Sequence, residues 1–408
     1  MKIQRIDCND KSKCCGCTAC ANICPKNAIT MVSDEYGFLF PKIDEDKCIN
    51  CGLCSKACIY KNELKREKVK KAYASVTKNK DILKKSTSGG IFAELASSFL
   101  SSGGVVYGCN LRLINSKAVI EHIRIDNIDE LQLLQGSKYV QSDKKLIFRQ
   151  VKQDLKDSKK VLFSGTPCEV AALKRFLFNI SMDNLFTIDI ICHGVPSNEM
   201  FNAYLNTLYE KEEKIDYKFR DKTEGWGSMG AIFLKRKNKI ILKRIHPKKS
   251  SFYQLFLNTD ICRDSCYSCM FANDKRIGDI TLGDYWGIEK EQPELLIENG
   301  GSLSREEGIS CVLINTEKGS SFIEKFGDNL LLFKSDLKKI AKNNHNLKSP
   351  SKKGENREVV FGLYKDNHNF DDINRWFKKK LGIKYYIYTV WIKLPLFFRR
   401  LIRKFINR

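Results

Sequence analysis

The chain has no uninterrupted apolar run of 18 or more residues, which excludes a clean membrane-spanning helix. Met1 to Lys13 is polar and lacks an apolar segment, so no secretory signal is expected. Neither a Walker A sequence nor G-x-G-x-x-G occurs, so nucleotide binding has no standard fingerprint here. From Arg375 to Arg408 there is not one acidic residue, against 11 Lys and Arg. That short stretch holds nearly half of the net charge of +23. The remaining excess is scattered lysine, which reads as a solvated surface, so no nucleic-acid partner is expected. The 408 residues, 42% of them apolar, leave room for two or three domains.

What the chain has in abundance is cysteine, 17 residues of it. Cys14, Cys17, Cys20 and Cys24 read C-x2-C-x2-C-x3-C, and Cys48, Cys51, Cys54 and Cys58 repeat the spacing 34 residues on. The first copy ends Cys24-Pro25. In the bacterial ferredoxin run of this form, the fourth cysteine of each copy ligates the cluster of the other. One [4Fe–4S] cluster is therefore expected on Cys14, Cys17, Cys20 and Cys58, and a second on Cys48, Cys51, Cys54 and Cys24. Paired zinc sites or a disulfide framework are the alternatives, and two matched registers argue against both. Cys15 stands outside the registers as a spare thiol. Clusters need free thiolates, so a reducing, cytoplasmic setting is expected.

The expected organisation is a dicluster domain over residues 1–60, a charged linker over 61–71, a core over 72–330 in two parts (72–158 and 159–330), and a basic tail over 331–408. The expected fold class is α+β: a small ferredoxin-like domain, a mixed α/β core, and a basic amphipathic C-terminal helix. Within the core, strands are read at 72–77, 105–107, 118–125, 160–164 and 185–191, and helices at 90–101, 144–155 and 198–212. A hairpin is read around Lys237-Asn238, with further strands at 279–282 and 310–315.

Cys168 and Cys192 each follow a predicted strand end, where α/β sheets place their sites. Cys266 and Cys269 form a C-x2-C pair, with Cys262 just upstream. These four could hold a third cluster or zinc; buried, unreactive cysteine is the common fate. Ser88-Gly89-Gly90 opens the helix at Ile91. Its free N–H groups suit a phosphate, and an ordinary helix start is the alternative. His193 is a candidate proton shuttle or a locally bonded imidazole. Trp226 is a candidate stacking residue or a packed turn aromatic.

Several stretches come in a fixed order: Ser88-Gly89-Gly90-Ile91, Gly136-Ser137-Lys138-Tyr139, Gly165-Thr166-Pro167-Cys168, Cys192-His193-Gly194, Ser265-Cys266-Tyr267-Ser268-Cys269 and Asp279-Ile280-Thr281-Leu282-Gly283-Asp284. Together they resemble the beta subunit family of coenzyme F420 hydrogenase and dehydrogenase, over residues 72–320. The resemblance implies a flavin-binding core with FAD and a [4Fe–4S] cluster of its own on Cys168, Cys192, Cys266 and Cys269. It implies FAD contacts from Ser88, Gly89, Gly90, Ile91, Ser137, Lys138, Tyr139 and Thr166, with Lys138 at phosphate or flavin. Cys262 has no assigned role and could compete with one of the four.

The expected activity is that of an iron–sulfur flavoprotein oxidoreductase. It would link a ferredoxin-like carrier, clusters and FAD to coenzyme F420 or another small molecule, with Lys138, His193 and Trp226 as catalytic candidates. The alternatives are an electron-transfer subunit serving a partner enzyme, and a non-catalytic assembly protein at the membrane. In the tail, Ile383, Tyr386, Ile387, Val390, Trp391, Leu394, Phe397, Phe398, Leu401, Ile402, Phe405 and Ile406 fall on a helical stripe flanked by Lys and Arg, with Pro395 expected to kink or restart the helix. Such a helix suits an anionic membrane on the inner face of the cell or, equally, docks on the protein's own core.

Overall fold

The computed structural model describes residues 6, 10–227, 229–395, 397–399 and 402. Leu401, Phe405 and Ile406 of the tail stripe, and Arg400, Arg403, Lys404 and Arg408 beside it, lie outside the described residues.

The cysteine-rich segment folds around two short helices, α1 (Ala19–Ile23) and α2 (Leu53–Ala57), with the antiparallel pair β1 (Ile29–Ser33) and β2 (Leu39–Ile43) between them. The 34-residue offset extends to the backbone. Gly16 and Asn50 both sit at positive φ (62° and 55°), as do Thr18 and Gly52 (65° and 73°). Left-handed residues at these matched places turn each run of thiols toward one side before its helix begins.

The core is built on one eight-stranded sheet. In chain order its first strands are β3 (Lys71–Thr77), β4 (Val105–Ile114), β5 (Lys117–Ile125), β6 (Val161–Gly165) and β7 (Leu185–Ile190). Helices α3 (Ile91–Ser101), α4 (Ile147–Lys156) and α5 (Pro167–Phe176) connect them, and α6 (Asn198–Asn206) follows. A separate three-stranded sheet of β8 (Glu213–Lys218), β9 (Gly230–Arg236) and β10 (Lys239–Ile245) comes next, then α7 (Ser251–Leu257). The chain returns to the main sheet with β11 (Ile280–Asp284), β12 (Ser310–Ile314) and β13 (Leu330–Ser335), and ends in α8 (Arg357–Lys365), α9 (Asp371–Leu381) and α10 (Ile383–Lys393).

The strand order is β13-β3-β12-β11-β7-β6-β4-β5. The four strands β11, β7, β6 and β4 run parallel, and the pairs outside them are antiparallel. The fold is therefore mixed α/β, with a parallel sheet centre that the α+β expectation did not include. The reason is local: α5 carries the chain back over the sheet from β6 to β7, and such a crossover returns a strand parallel. The strands expected at 279–282 and 310–315 pair antiparallel with each other and lie in the main sheet. The helix from Asn198 stops at Asn206, not at residue 212, because the chain turns at Tyr209 (φ 48°) to enter β8. Asn115 and Ser116, both at positive φ, close the β4–β5 hairpin tightly.

Side chains alternate across the sheet. Val161 and Phe163 face α5 together with Ala19, Cys15 and Ala57 of the cysteine-rich segment, whereas Leu162 faces Ile91, Phe99 and Val312. The segment is thus packed on the core, and arginines pin it there. Arg149 donates to the carbonyls of Asn22 (2.7 Å), Ala21 (3.2 Å) and Cys24 (2.9 Å), which end α1, and Arg175 donates to Lys56 O at 2.6 Å. Much of the region beyond residue 330 also belongs to this body: β13 completes the sheet, and Val360, Phe361, Tyr364, Phe370, Ile373 and Phe377 are buried. After Gly382, α10 has no buried residue, but Tyr388 stacks on His246 of the core (4.9 Å, 12°) and the buried Arg399 beyond it pairs with Glu224 at 2.5 Å. Pro395 restarts the backbone, with Leu394 before it extended (ψ 139°).

Candidate functional site

The eight register cysteines divide by surroundings. Charge on Cys17 and on Cys58 is felt at Cys14, and Cys58 in turn feels Cys17, so residues 44 positions apart in sequence share one site. Burial raises the Cys14 and Cys58 thiols; Arg263 opposes this at Cys14, and the Tyr60 N–H opposes it at Cys58. Cys24 and Cys54 pack instead about Cys20, Ala21 and Ile29, and the Cys24 sulfur accepts the Ala28 N–H at 3.3 Å. Cys51 is exposed. One site is therefore inner and the other reaches the surface.

Cys168 sits at the second position of α5, directly after the end of β6. Its helix start is fixed by a capping box: Thr166 caps and Glu169 Oε2 accepts the Thr166 N–H at 2.8 Å. Cys192 lies two residues past the end of β7, and Cys266 and Cys269 come from the turn after α7. Burial raises Cys192, Cys266 and Cys269, the last two to about 12 and about 11, and each also feels charge on Cys168. Cys192 further feels Cys266 and Cys269. The four thiols thus converge from three loops. A hydrogen bond from Cys15, opposed by burial, lowers Cys168. Cys15 bonds Cys17 in the same way, holding it near 7. The spare thiol of the registers therefore lies between the inner site and the core site, buried in one apolar cluster against which Cys17, Cys168 and Cys269 pack. Cys262 is buried near Cys266 and against Gly194. Among the described residues, no three His, Cys, Asp or Glu side chains meet as ligands of a single metal ion. A cubane spreads its four thiolates more widely than one ion does.

A cavity of about 350 Å³ opens beside the core cysteines. Ser88, Gly90, Ile91, Ser137, Lys138, Tyr139, Thr166, Cys192 and His193 line it. Gly89 stands behind the wall: a Cβ there would collide with Ser75 O, and its N–H donates to Ser310 Oγ at 2.9 Å. Lys138 Nζ donates to Leu134 O (2.8 Å) and Gln135 O (2.7 Å), and burial brings its ammonium down to about 8. His193 Nε2 lies 3.0 Å from Leu257 O, and burial lowers its pKa. Trp226 does not reach the cavity. It stacks on Trp286 (4.6 Å, 8°), which does, and donates Nε1–H to Asp284 at 3.1 Å. Trp286, the buried His122 and Glu169 of the cavity lining, and Lys144, which pairs with Glu169, escaped sequence reading because none belongs to a spaced motif. A second cavity of about 1090 Å³ shares the wall at Ser86, Thr87 and Gly136 to Lys138.

Residues 158–339 match the family model for the C terminus of the coenzyme F420 hydrogenase/dehydrogenase beta subunit, and residues 13–62 match the model of a 4Fe-4S dicluster domain. Residues 158–339 belong to that beta-subunit family, behind a 4Fe–4S dicluster domain. An uncharacterized ferredoxin of Methanocaldococcus jannaschii is 37% identical over 49 residues, which are 12% of this chain. The chain spans 62% of the length of that relative. A chain of the F420-reducing [NiFe] hydrogenase complex from Methanosarcina barkeri aligns over 72% of this chain and 92% of its own, at 16% identity and a TM-score of 0.43, too low to establish a shared fold. The segment matched to the beta-subunit model contains Cys168, Cys192, Cys266 and Cys269, and the dicluster match contains all eight register cysteines.

Proposed function

We propose that the protein is an iron–sulfur flavoprotein oxidoreductase. Two [4Fe–4S] clusters would be held by Cys14, Cys17, Cys20 and Cys58 and by Cys48, Cys51, Cys54 and Cys24, and a third by Cys168, Cys192, Cys266 and Cys269. FAD would lie in the cavity lined by Ser88, Gly90, Ile91, Ser137, Lys138, Tyr139 and Thr166. When bound, FAD exchanges electron pairs with a substrate and single electrons with clusters. The observation that carries this reading is the position of Cys192, which belongs to the core thiol group and also lines the cavity.

The protein's own residues supply the rest. Exposed Cys51 offers a surface point for an electron carrier such as a ferredoxin or a partner enzyme. Cys15 bridges the inner and core sites. The second cavity, with Lys138 on the shared wall, would admit the small-molecule substrate, the deazaflavin coenzyme F420 or another. We assign a cytoplasmic setting, with the exposed basic helix α10 resting on anionic membrane. The boundaries 1–60, 61–71 and 72–330 serve as functional units of dicluster module, linker and flavin core.

Anaerobic reconstitution followed by iron and flavin assays tests the reading. About twelve irons and one FAD per chain are expected from three four-iron clusters. Eight irons without flavin would leave the second reading, an electron-transfer subunit with no substrate site, which the beta-subunit family name favours.

A further inference from the structure

Arg263 is a buried cation whose charge meets no carboxylate among the described residues. It is 1% exposed. Its Nε donates to Cys14 O at 2.6 Å, one terminal nitrogen to Leu39 O at 2.9 Å, and the other to the neutral Gln141 Oε1 at 3.1 Å. Gln141 in turn donates to Cys15 O at 2.7 Å. The guanidinium lies over the Phe40 ring at 4.2 Å. Asp264, its neighbour in sequence, is turned away to Arg357 at 2.6 Å. Gly16 makes the room: a Cβ there would come within 3.0 Å of the guanidinium. Arg263 thus reaches from the core, three residues before Cys266, into the loop that carries Cys14 and Cys17.

We propose that Arg263 is the positioning residue that raises the reduction potential of the inner dicluster site, Cys14, Cys17, Cys20 and Cys58, by a fixed, uncompensated positive charge. This rests on the cluster assignment made above. Reduction adds one electron to a group already made negative by its thiolates. A cation held beside it in a low-dielectric interior stabilises the reduced form more than the oxidised form. Its hydrogen-bond partners are neutral, so none cancels the charge. The inner site would hold an electron in transit between the exposed cluster and the core.

The test is a redox titration followed by electron paramagnetic resonance on the full, anaerobically reconstituted chain, comparing wild type, Arg263→Gln and Arg263→Lys. The signal lost in Cys58→Ser identifies the inner cluster. Arg263→Gln should make that cluster at least about tenfold harder to reduce, a midpoint about 59 mV more negative for a one-electron couple. Arg263→Lys should stay within half of that shift. Unchanged midpoints in Arg263→Gln at wild-type iron content overturn the proposal, as does an Arg263→Lys shift equal to that of Arg263→Gln. If Arg263→Gln fails to hold iron, Arg263→Lys decides: a near-wild-type midpoint sustains the role of charge, and a midpoint shifted about tenfold overturns it. A wild type with no clusters on residues 13–62 would instead remove the cluster assignment, and this proposal with it.

Discussion

The Lys144 ammonium meets the carboxylate of Glu169, a residue of the cavity lining, at 2.8 Å, with both side chains buried. Lys144 also donates to Ser142 O at 2.6 Å, and Glu169 accepts the Thr166 N–H that caps α5. The pair therefore ties the loop before α4 to the helix that presents Cys168. Replacing Lys144 with Met leaves the carboxylate buried and uncompensated, at a cost of roughly 3–5 kcal/mol. The double variant Lys144→Met, Glu169→Leu should recover most of that loss. Guanidinium unfolding of the three chains measures it, and a single-variant loss below about 1 kcal/mol would refute it.

The same pair has a pH signature. Burial acts to raise Glu169, but Lys144, His122 and the Thr166 N–H prevail and hold it at about 2, below its ordinary 4.5. A carboxylate depressed in the folded state contributes stability that is complete above its unfolded value and lost as pH falls through the folded one. Wild type should therefore lose stability between pH 4.5 and 2 more steeply than Glu169→Gln. Parallel acid-unfolding curves for the two chains would count against the pair.

Cys58→Ser tests the crossed ligation. Cys58 shares surroundings with Cys14 and Cys17, whereas Cys54, four residues earlier, packs with Cys20 and Cys24. The substitution should therefore damage the buried inner cluster and spare the one that includes exposed Cys51. Iron content should fall from about twelve to about eight, and the surviving dicluster signal should stay accessible to external reductant. Loss of the exposed cluster instead would mean that each run ligates its own cluster.

How much of this was legible in sequence depended on whether the signal was local. Cysteine registers, the Lys237-Asn238 hairpin and the strand ends before Cys168 and Cys192 are short-range patterns and could be read directly. The ordered motifs were enough to name the family. Sheet direction was not legible, because it depends on how helices such as α5 cross the sheet. Residues 357–377 looked like part of a basic tail, yet Val360, Phe361 and Phe377 are buried; Val360 and Phe361 pack in one cluster with partners more than 100 residues away, such as Phe38. Arg263 and Lys144 carry no motif at all. Each looks like one more lysine or arginine among 71 until the fold buries it.

Cys266→Ala tests the core site. Its thiol, raised to about 12 mainly by burial, is a poor thiolate unless something positive replaces the proton. A cluster would do so, and without one the cysteine is an inert core residue. Iron should fall by about a third of twelve, while flavin remains bound and ceases to be reduced through the dicluster module. Unchanged iron in this variant would leave Cys266 structural.

The last prediction concerns α10. Ile383 (77% exposed), Ile387 (55%) and Val390 (59%) form an apolar stripe facing solvent, and none of the described residues of the helix is buried. Lys378 and Lys249 gather beside it against Tyr385, so the stripe is flanked by positive charge. That combination matches an anionic bilayer surface, which takes up apolar side chains and attracts the lysines. The full chain should co-sediment with vesicles rich in phosphatidylglycerol and less with neutral ones. Binding should weaken as salt shortens the screening length from about 10 Å at 0.1 M to about 3 Å at 1 M. Ending the chain at Leu381 removes the helix but keeps buried Ile373 and Phe377, so this variant should retain its iron and lose the vesicles. If it still binds, or if the full chain ignores anionic vesicles, the stripe serves another surface.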